Sequence, residues 1–366
     1  MIRPSLASAL LASVALAACG APDPDADSSG QAAAPVSTRV GATGALSMEA
    51  IEGAVWQPAA DTTAPAATRP TTPTAPGEDP TAPETTTAPR PEIIRAQILL
   101  DRARFSPGSI DGLGGENTGQ AIAAFEKAND LPVDGELDER VFGALTQGAA
   151  PVLTRYTITA ADVAGPFRPV PKTLEAQAEL SALNYASAFE GLAEKFHVTE
   201  ALLSALNPDA NFEEVGRTIV VPAVSARPLP AAVARIEVNK SESSLRAFDA
   251  EGVLLAFYPA TIGSTERPAP TGRVTVVGVA PEPNYTYDPS RVTYGDGERR
   301  LVIAAGPNNP VGSVWIDLSK DTYGIHGTPE PSKIAKTASS GCVRLTNWDA
   351  EQLAAAVKPG VEVIFS

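Results

Sequence analysis

The spacing of apolar residues changes character along the chain, and each change predicts a different kind of element. From residue 92 to 147 apolar positions recur at helical spacing. Residues 92–104 predict one helix, and an internal repeat predicts two more. Ile110-Asp111-Gly112, Thr118 and Ala121-Ile122 return as Val133-Asp134-Gly135, Val141 and Ala144-Leu145, each 23 residues on. Asp can cap helix N–H groups while Gly takes a tight turn, so each Asp-Gly pair is read as opening a helix. Residues 149–232 predict a smaller module with its core at 185–222. A strand near Tyr185 leads into a helix at 189–196, then a second helix capped by Thr199, a stop at Asn207-Pro208 and a closing strand at 218–222. Residues 151–184 read as packing or linker with no assigned role, and His197, between the helices, as an exposed loop residue.

Beyond residue 233 the period shortens to two. Alternating or apolar runs at 235–240, 244–248, 253–262, 272–279, 313–318 and 361–365 predict strands. One helix, with Asn347 as its cap, is predicted at 347–357. Residues 233–366 therefore form a mostly-β sandwich or barrel, long enough to enclose a core of its own. The fold class is multidomain: a three-helix unit at 92–148, a β-α-α-β module within 149–232, and this β domain.

Composition changes the picture at the front. Residues 1–18 combine a short positive start with an apolar run too short to span a bilayer comfortably. Residues 19–91 are rich in Ala, Pro and Thr, and predict a disordered, semi-stiff tether reaching roughly 3 Å per extended residue. An apolar patch at 46–56 interrupts it, a candidate helical turn or contact site. Of the net charge of −15, −13 lies on residues 1–233, since residues 234–366 are nearly neutral. No basic stripe is present, which argues against nucleic acid as a partner. No ligand cluster for a metal and no nucleotide-binding loop is evident, so no cofactor is expected.

The chain has two cysteines and two histidines. Cys342 lies in Ser339-Ser340-Gly341-Cys342-Val343-Arg344-Leu345, and His326 in Tyr323-Gly324-Ile325-His326-Gly327-Thr328. A cysteine nucleophile needs a base, and His326 is the one histidine in the last third of the chain. Flanking glycines let backbone approach a substrate and offer free N–H groups. The bland alternative, a buried inert thiol, fits poorly with Ser-Ser-Gly before it and Arg344 after it.

Several segments resemble known families. Leu16-Ala17-Ala18-Cys19 resembles a bacterial lipobox, which implies lipid on Cys19, a lipid-anchored protein facing the periplasm and, with Gly20 next, the outer membrane slightly favoured. Residues 92–148 resemble a peptidoglycan-binding domain, and 185–222 a lysin motif (LysM), which binds glycan strands of the wall. Pro270-Thr271-Gly272 and Gly306-Pro307-Asn308-Asn309-Pro310-Val311-Gly312, with the two motifs above, resemble the L,D-transpeptidase (YkuD-type) catalytic domain. That resemblance implies acyl transfer on peptidoglycan stem peptides: the cysteine attacks the third residue of a tetrapeptide stem, expels D-alanine, and passes the acyl group to an amine of a neighbouring stem. It also implies acylation by carbapenems.

On this reading Cys342 is the nucleophile, His326 the base, and Gly341 with Cys342 supplies oxyanion N–H groups. Arg344 grips a substrate carboxylate. Tyr323, Thr328, Ser339 and Ser340 are candidate substrate-binding or orienting residues. Many family members carry a second histidine where this chain has Ser340, so a role for that histidine does not carry over. The same acyl-enzyme could instead serve an L,D-carboxypeptidase or an enzyme that attaches or detaches a protein. A non-catalytic wall-binding adaptor is the reading from a different class.

Overall fold

Residues 46–56, 88–224, 228–265, 267–291, 299–337, 339 and 341–366 are described by a computed structural model and belong to one unit. Cys19, Ser340, the first 18 residues and most of the expected tether lie outside the described residues.

Part of that tether is not tether. Helix α1 (Met48–Glu52) is capped by the Ser47 hydroxyl, buries Ile51, and is followed by Trp56, whose Nε1 donates to Leu137 O at 2.7 Å. The apolar patch at 46–56 is ordered because it has a core to fill. Helices α2 (Pro91–Arg102), α3 (Glu116–Ala128) and α4 (Glu139–Thr146) form the expected three-helix unit.

The Asp-Gly pairs do not cap those helices. Gly115 and Asp138 stand at the N-caps instead. Asp111 and Asp134 accept from the N–H groups of Leu113 and Glu136, two residues on, and so form turns. Buried side chains fasten each turn from behind: Gln97 Oε1 accepts from Asp111 and Gly112, and Glu126 Oε2 from Asp134 and Gly135. The repeated motif is thus a pinned turn ahead of each helix.

The next module contains β1 (Leu153–Thr157), α5 (Leu174–Ala178), α6 (Ala188–Lys195), α7 (Glu200–Leu206) and β2 (Thr218–Pro222). Thr199 caps α7 as expected, its hydroxyl accepting from Leu202 N. The first strand is misplaced in the sequence reading. β2 pairs antiparallel with β1, Leu153 opposite Pro222, so the presumed linker supplies the strand. Residues near Tyr185 make no ladder; the Tyr185 ring instead lies against Gly191, where a Cβ would come within 2.9 Å of it. One hydrophobic core runs through the three-helix unit and this module, and extends to Phe257 of the β domain.

The β domain begins with β3 (Arg235–Asn239), β4 (Ser244–Phe248), β5 (Leu254–Pro259), β6 (Thr261–Ile262) and β7 (Gly272–Pro281). It continues through β8 (Tyr285–Tyr287), β9 (Leu301–Ile303), β10 (Val314–Leu318), β11 (Gly324–His326), β12 (Val343–Arg344), α8 (Asn347–Ala354) and β13 (Glu362–Phe365). Among the described residues nine strands form one sheet in the order β5-β4-β3-β13-β7-β10-β11-β12-β6. Its two edge strands are consecutive in the chain, with Ala260 alone between them, so the sheet curls back on itself into a nearly closed barrel. Ile236, Val238, Leu245, Ile316, Ile325, Val343 and Val363 fill the interior, and α8 adds Ala350 and Leu353. Thr346, not Asn347, caps α8, its hydroxyl accepting from Asp349 N. That frees the Asn347 side chain for another task.

Candidate active site

Strand alternation places the candidate residues. β11 and β12 pair in parallel, Ile325 opposite Val343 and His326 opposite Arg344. Ile325 and Val343 are both buried in the barrel core. Successive side chains point to opposite faces, so His326, Cys342 and Arg344 share the outer face of adjoining strands. The geometry thus brings together the three residues singled out most strongly by the sequence.

His326 is 3% exposed. Its Nδ1 lies 2.7 Å from the carbonyl oxygen of Gly327, an arrangement that fits a proton on Nδ1, and the Val311 backbone also reaches the ring. Trp315, directly across the β10–β11 pair, stacks on the imidazole at 5.4 Å between ring centroids. Gly324 makes room for that indole, since a Cβ there would stand 2.4 Å from Trp315 Cζ2. Burial, then the nearby Arg344 charge, push the imidazole down to about 3.

Cys342 is a free, half-buried thiol with Sγ 3.7 Å from Thr322 O. Burial pushes its titration up, while the Gly324 backbone, Arg344 and Arg267 oppose the rise. At neutral pH the resting pair is therefore thiol and neutral imidazole. Arg344 makes no ion pair among the described residues, so its guanidinium is available.

The loop before Cys342 is tightly specified. Gly341 has φ of +108°, a backbone conformation that disfavours any side chain, and a Cβ there would also meet Tyr323 Cε1 at 2.8 Å. Tyr323 thus walls the loop, its hydroxyl near Pro268 O at 3.4 Å. Ser339 is buried, donates to Cys342 O and accepts from Gly263 N, both at 2.6 Å. Thr328 is buried as well; its N–H donates to Asn347 Oδ1 at 3.1 Å and its hydroxyl accepts from Glu330 N.

Three contributors escaped the sequence reading. The Gly327 carbonyl and Arg267 carry no signal a motif scan would weigh. Asn347 was read as a helix cap, yet it sits between two loops. Its Oδ1 accepts from Ser313 N and Thr328 N, each at 3.1 Å, and Nδ2 donates to Pro307 O at 3.2 Å and to Glu194 Oε2 at 3.0 Å. Gly312 and Gly327 border it so closely that a Cβ on either would lie 2.2 Å from Oδ1. Gly312 and Gly327, each inside a motif singled out in the sequence, were the available hint.

His197 is also corrected. It occupies a left-handed turn (φ +54°) at the end of α6, and the ring turns inward. Nδ1 lies 3.0 Å from Asp101 Oδ1, and the ring stacks on Trp348 at 4.9 Å. It is a junction residue between helical front and β domain, not an exposed loop residue.

Residues 233–365 match the YkuD family, "L,D-transpeptidase catalytic domain", and residues 89–145 match the family "Putative peptidoglycan binding domain". Among curated relatives, "Putative L,D-transpeptidase YkuD" of Bacillus licheniformis is 31% identical over 176 residues, 48% of this chain and 90% of the relative. "Probable L,D-transpeptidase ErfK/SrfK" of Escherichia coli is 34% identical over 132 residues, covering 35% and 42%. A crystal structure of L,D-transpeptidase 3 from Mycobacterium tuberculosis aligns at 18% identity over 42% of this chain and 75% of that one, with a TM-score of 0.31, too low to add to the argument. The near-complete coverage of the Bacillus relative, together with the family match, decides the matter: the chain belongs to the YkuD-type L,D-transpeptidase family.

Proposed function

We propose that the protein is a peptidoglycan L,D-transpeptidase in which Cys342 and His326 carry the acyl transfer. The observation that supports this best is the shared face of β11 and β12, on which an imidazole with Nδ1 tied to a backbone carbonyl lies beside Arg344 and next to the loop that carries the thiol. His326 Nε2 takes the thiol proton as Sγ attacks the carbonyl of the third stem residue. The N–H groups of Gly341 and Cys342, which donate to no partner among the described residues, stabilise the oxyanion by an amount of order 3 kcal/mol per donor. Collapse of that intermediate breaks the peptide bond, and the imidazolium returns its proton to the departing D-alanine amine. The thioester is then attacked by an amine of a neighbouring stem, His326 again taking the proton, and Sγ leaves as thiol. Because the resting pair is neutral, the proton moves as substrate binds rather than beforehand. Arg344 favours that transfer by stabilising thiolate and grips a stem carboxylate.

The accessory parts fit a wall enzyme. The helical unit is proposed to hold peptidoglycan, and β1, α6, α7 and β2 support the LysM-like reading, although some thirty residues separate β1 from α6. Lipidation of Cys19 would anchor the chain in the envelope, facing the periplasm, with the outer membrane favoured by Gly20.

Incubation of the full chain with sacculi, followed by mass analysis of muropeptides, tests the reaction. Dimers linked between third residues support transpeptidation. Tripeptides alone assign water as acceptor and make the protein a carboxypeptidase. No product at all defeats the catalytic reading.

A further inference from the structure

His326, Gly327, Thr328, Asn347 and Glu194 are joined by hydrogen bonds that all run one way. His326 Nδ1 donates to Gly327 O at 2.7 Å. That carbonyl belongs to the same peptide unit as the N–H of Thr328, so planarity ties the direction of one to the other. Thr328 N donates to Asn347 Oδ1 at 3.1 Å, and Asn347 Nδ2 donates to Glu194 Oε2 at 3.0 Å. The series ends on a carboxyl group of helix α6, outside the catalytic domain as sequence families delimit it. Asn347 is 3% exposed and Glu194 7%, so both groups are largely withdrawn from solvent.

We propose that Glu194 is a positioning residue of the transpeptidase reaction, acting through Asn347 and the Gly327–Thr328 peptide to hold and polarise His326. The inference rests on the reading of His326 as the base. In aligned hydrogen bonds each donor strengthens the next, so Glu194, once ionised, makes Gly327 O a better acceptor and Nε2 a better base. Geometry contributes as well: with the peptide fixed, the imidazole cannot turn its Nε2 away from the thiol. The acidic side chain itself is fixed by the Tyr185 hydroxyl, 3.4 Å from Oε2. Other bonds draw the same module toward the same loop. Leu183 N donates to Ala305 O and Asn308 N to Leu183 O, at 2.9 and 3.0 Å, and Gly306 passes so close that a Cβ would lie 2.2 Å from Leu183 O. The β-α-α-β module thus completes the active site as well as accompanying it.

The test uses the full chain with a disaccharide-tetrapeptide as substrate, measuring D-alanine release and the low-field proton NMR signal of His326 Nδ1–H. Glu194→Ala is expected to lower kcat about tenfold with KM within about twofold, because misplacement of a base reduces turnover more than binding. Glu194→Gln, which keeps an acceptor but not the charge, should recover part of that loss. In both variants the imidazole N–H signal should move upfield. In an Asn347→Ala background, Glu194→Ala should cost nothing further. Unchanged kcat in Glu194→Ala, an unmoved signal, or fully additive losses would overturn the proposal. Should Asn347→Ala fail to fold, the Ala and Gln variants at 194 with the NMR signal decide it. A wild-type chain that releases no D-alanine refutes the reading of His326 as base, while the signal still reports whether Glu194 reaches the ring.

Discussion

His326 and Arg344 stand opposite each other across the parallel β11–β12 pair. The guanidinium disfavours protonated imidazole and favours thiolate, so one charge biases both members of the proposed catalytic pair. Arg344 therefore does more than wait for a carboxylate.

Replacing Arg344 by Gln should raise the titration of Cys342. The rate of alkylation by iodoacetamide as a function of pH reads this directly, and its midpoint should move to higher pH. An unmoved midpoint would leave Arg344 with substrate binding alone.

Cys342→Ser should abolish the acyl-enzyme while leaving the fold and binding to sacculi intact, since serine is a far weaker nucleophile beside a buried, weakly basic imidazole. Intact-mass spectrometry of the wild type with a carbapenem should show one adduct, mapped to Cys342. An adduct elsewhere would remove the nucleophile from its assigned place.

Gly324→Ala places a Cβ 2.4 Å from the Trp315 indole. The ring must shift off His326, so destabilisation of about 1–3 kcal/mol together with reduced turnover is expected from thermal melting and D-alanine release. A variant that keeps wild-type melting and rate would show the stack to be dispensable.

Stability should fall as pH rises from about 5 to 8. Glu194 and Asp349 are pushed up to about 7, chiefly by burial. Their protons are held in the folded chain but already lost by the unfolded one above the ordinary carboxylate range, so folding weakens from that range up to about pH 7 and then levels. His197 adds in the same sense: burial lowers its titration but the Asp101 charge outweighs this, and its stabilising proton is lost as pH rises through the raised value. Around these groups stand Asp101, Glu190, Glu351 and Tyr185. A melting temperature that climbs between pH 5 and 8 would contradict the arrangement. The Glu194→Gln variant should flatten the slope.

Phe257 is fully buried and belongs to the core of the helical front although it lies on β5 of the barrel. Phe257→Ala should cost about 3–5 kcal/mol and loosen both parts together, seen as one transition shifting in calorimetry rather than two separating.

Much of this was legible in local pattern. Helical periodicity at 92–147, alternation after 233, the cap at Thr199 and the pairing of Cys342 with His326 depend on neighbours a few residues apart, and sequence records such neighbours directly. Other features depend on residues far apart in the chain. The partner of β2 is β1, some sixty residues earlier, and no period marks that distance. His197 looked like a loop residue because the ring's surroundings, Asp101 and Trp348, come from different segments. Asn347 resembled a helix cap, and only folding brings it between Thr328 and Glu194, 153 residues away along the chain. Composition and period thus determined most of the elements and singled out one thiol and one imidazole as candidates. The tertiary structure decided what holds that imidazole, because a buried polar group must find its partner wherever the packed chain supplies one.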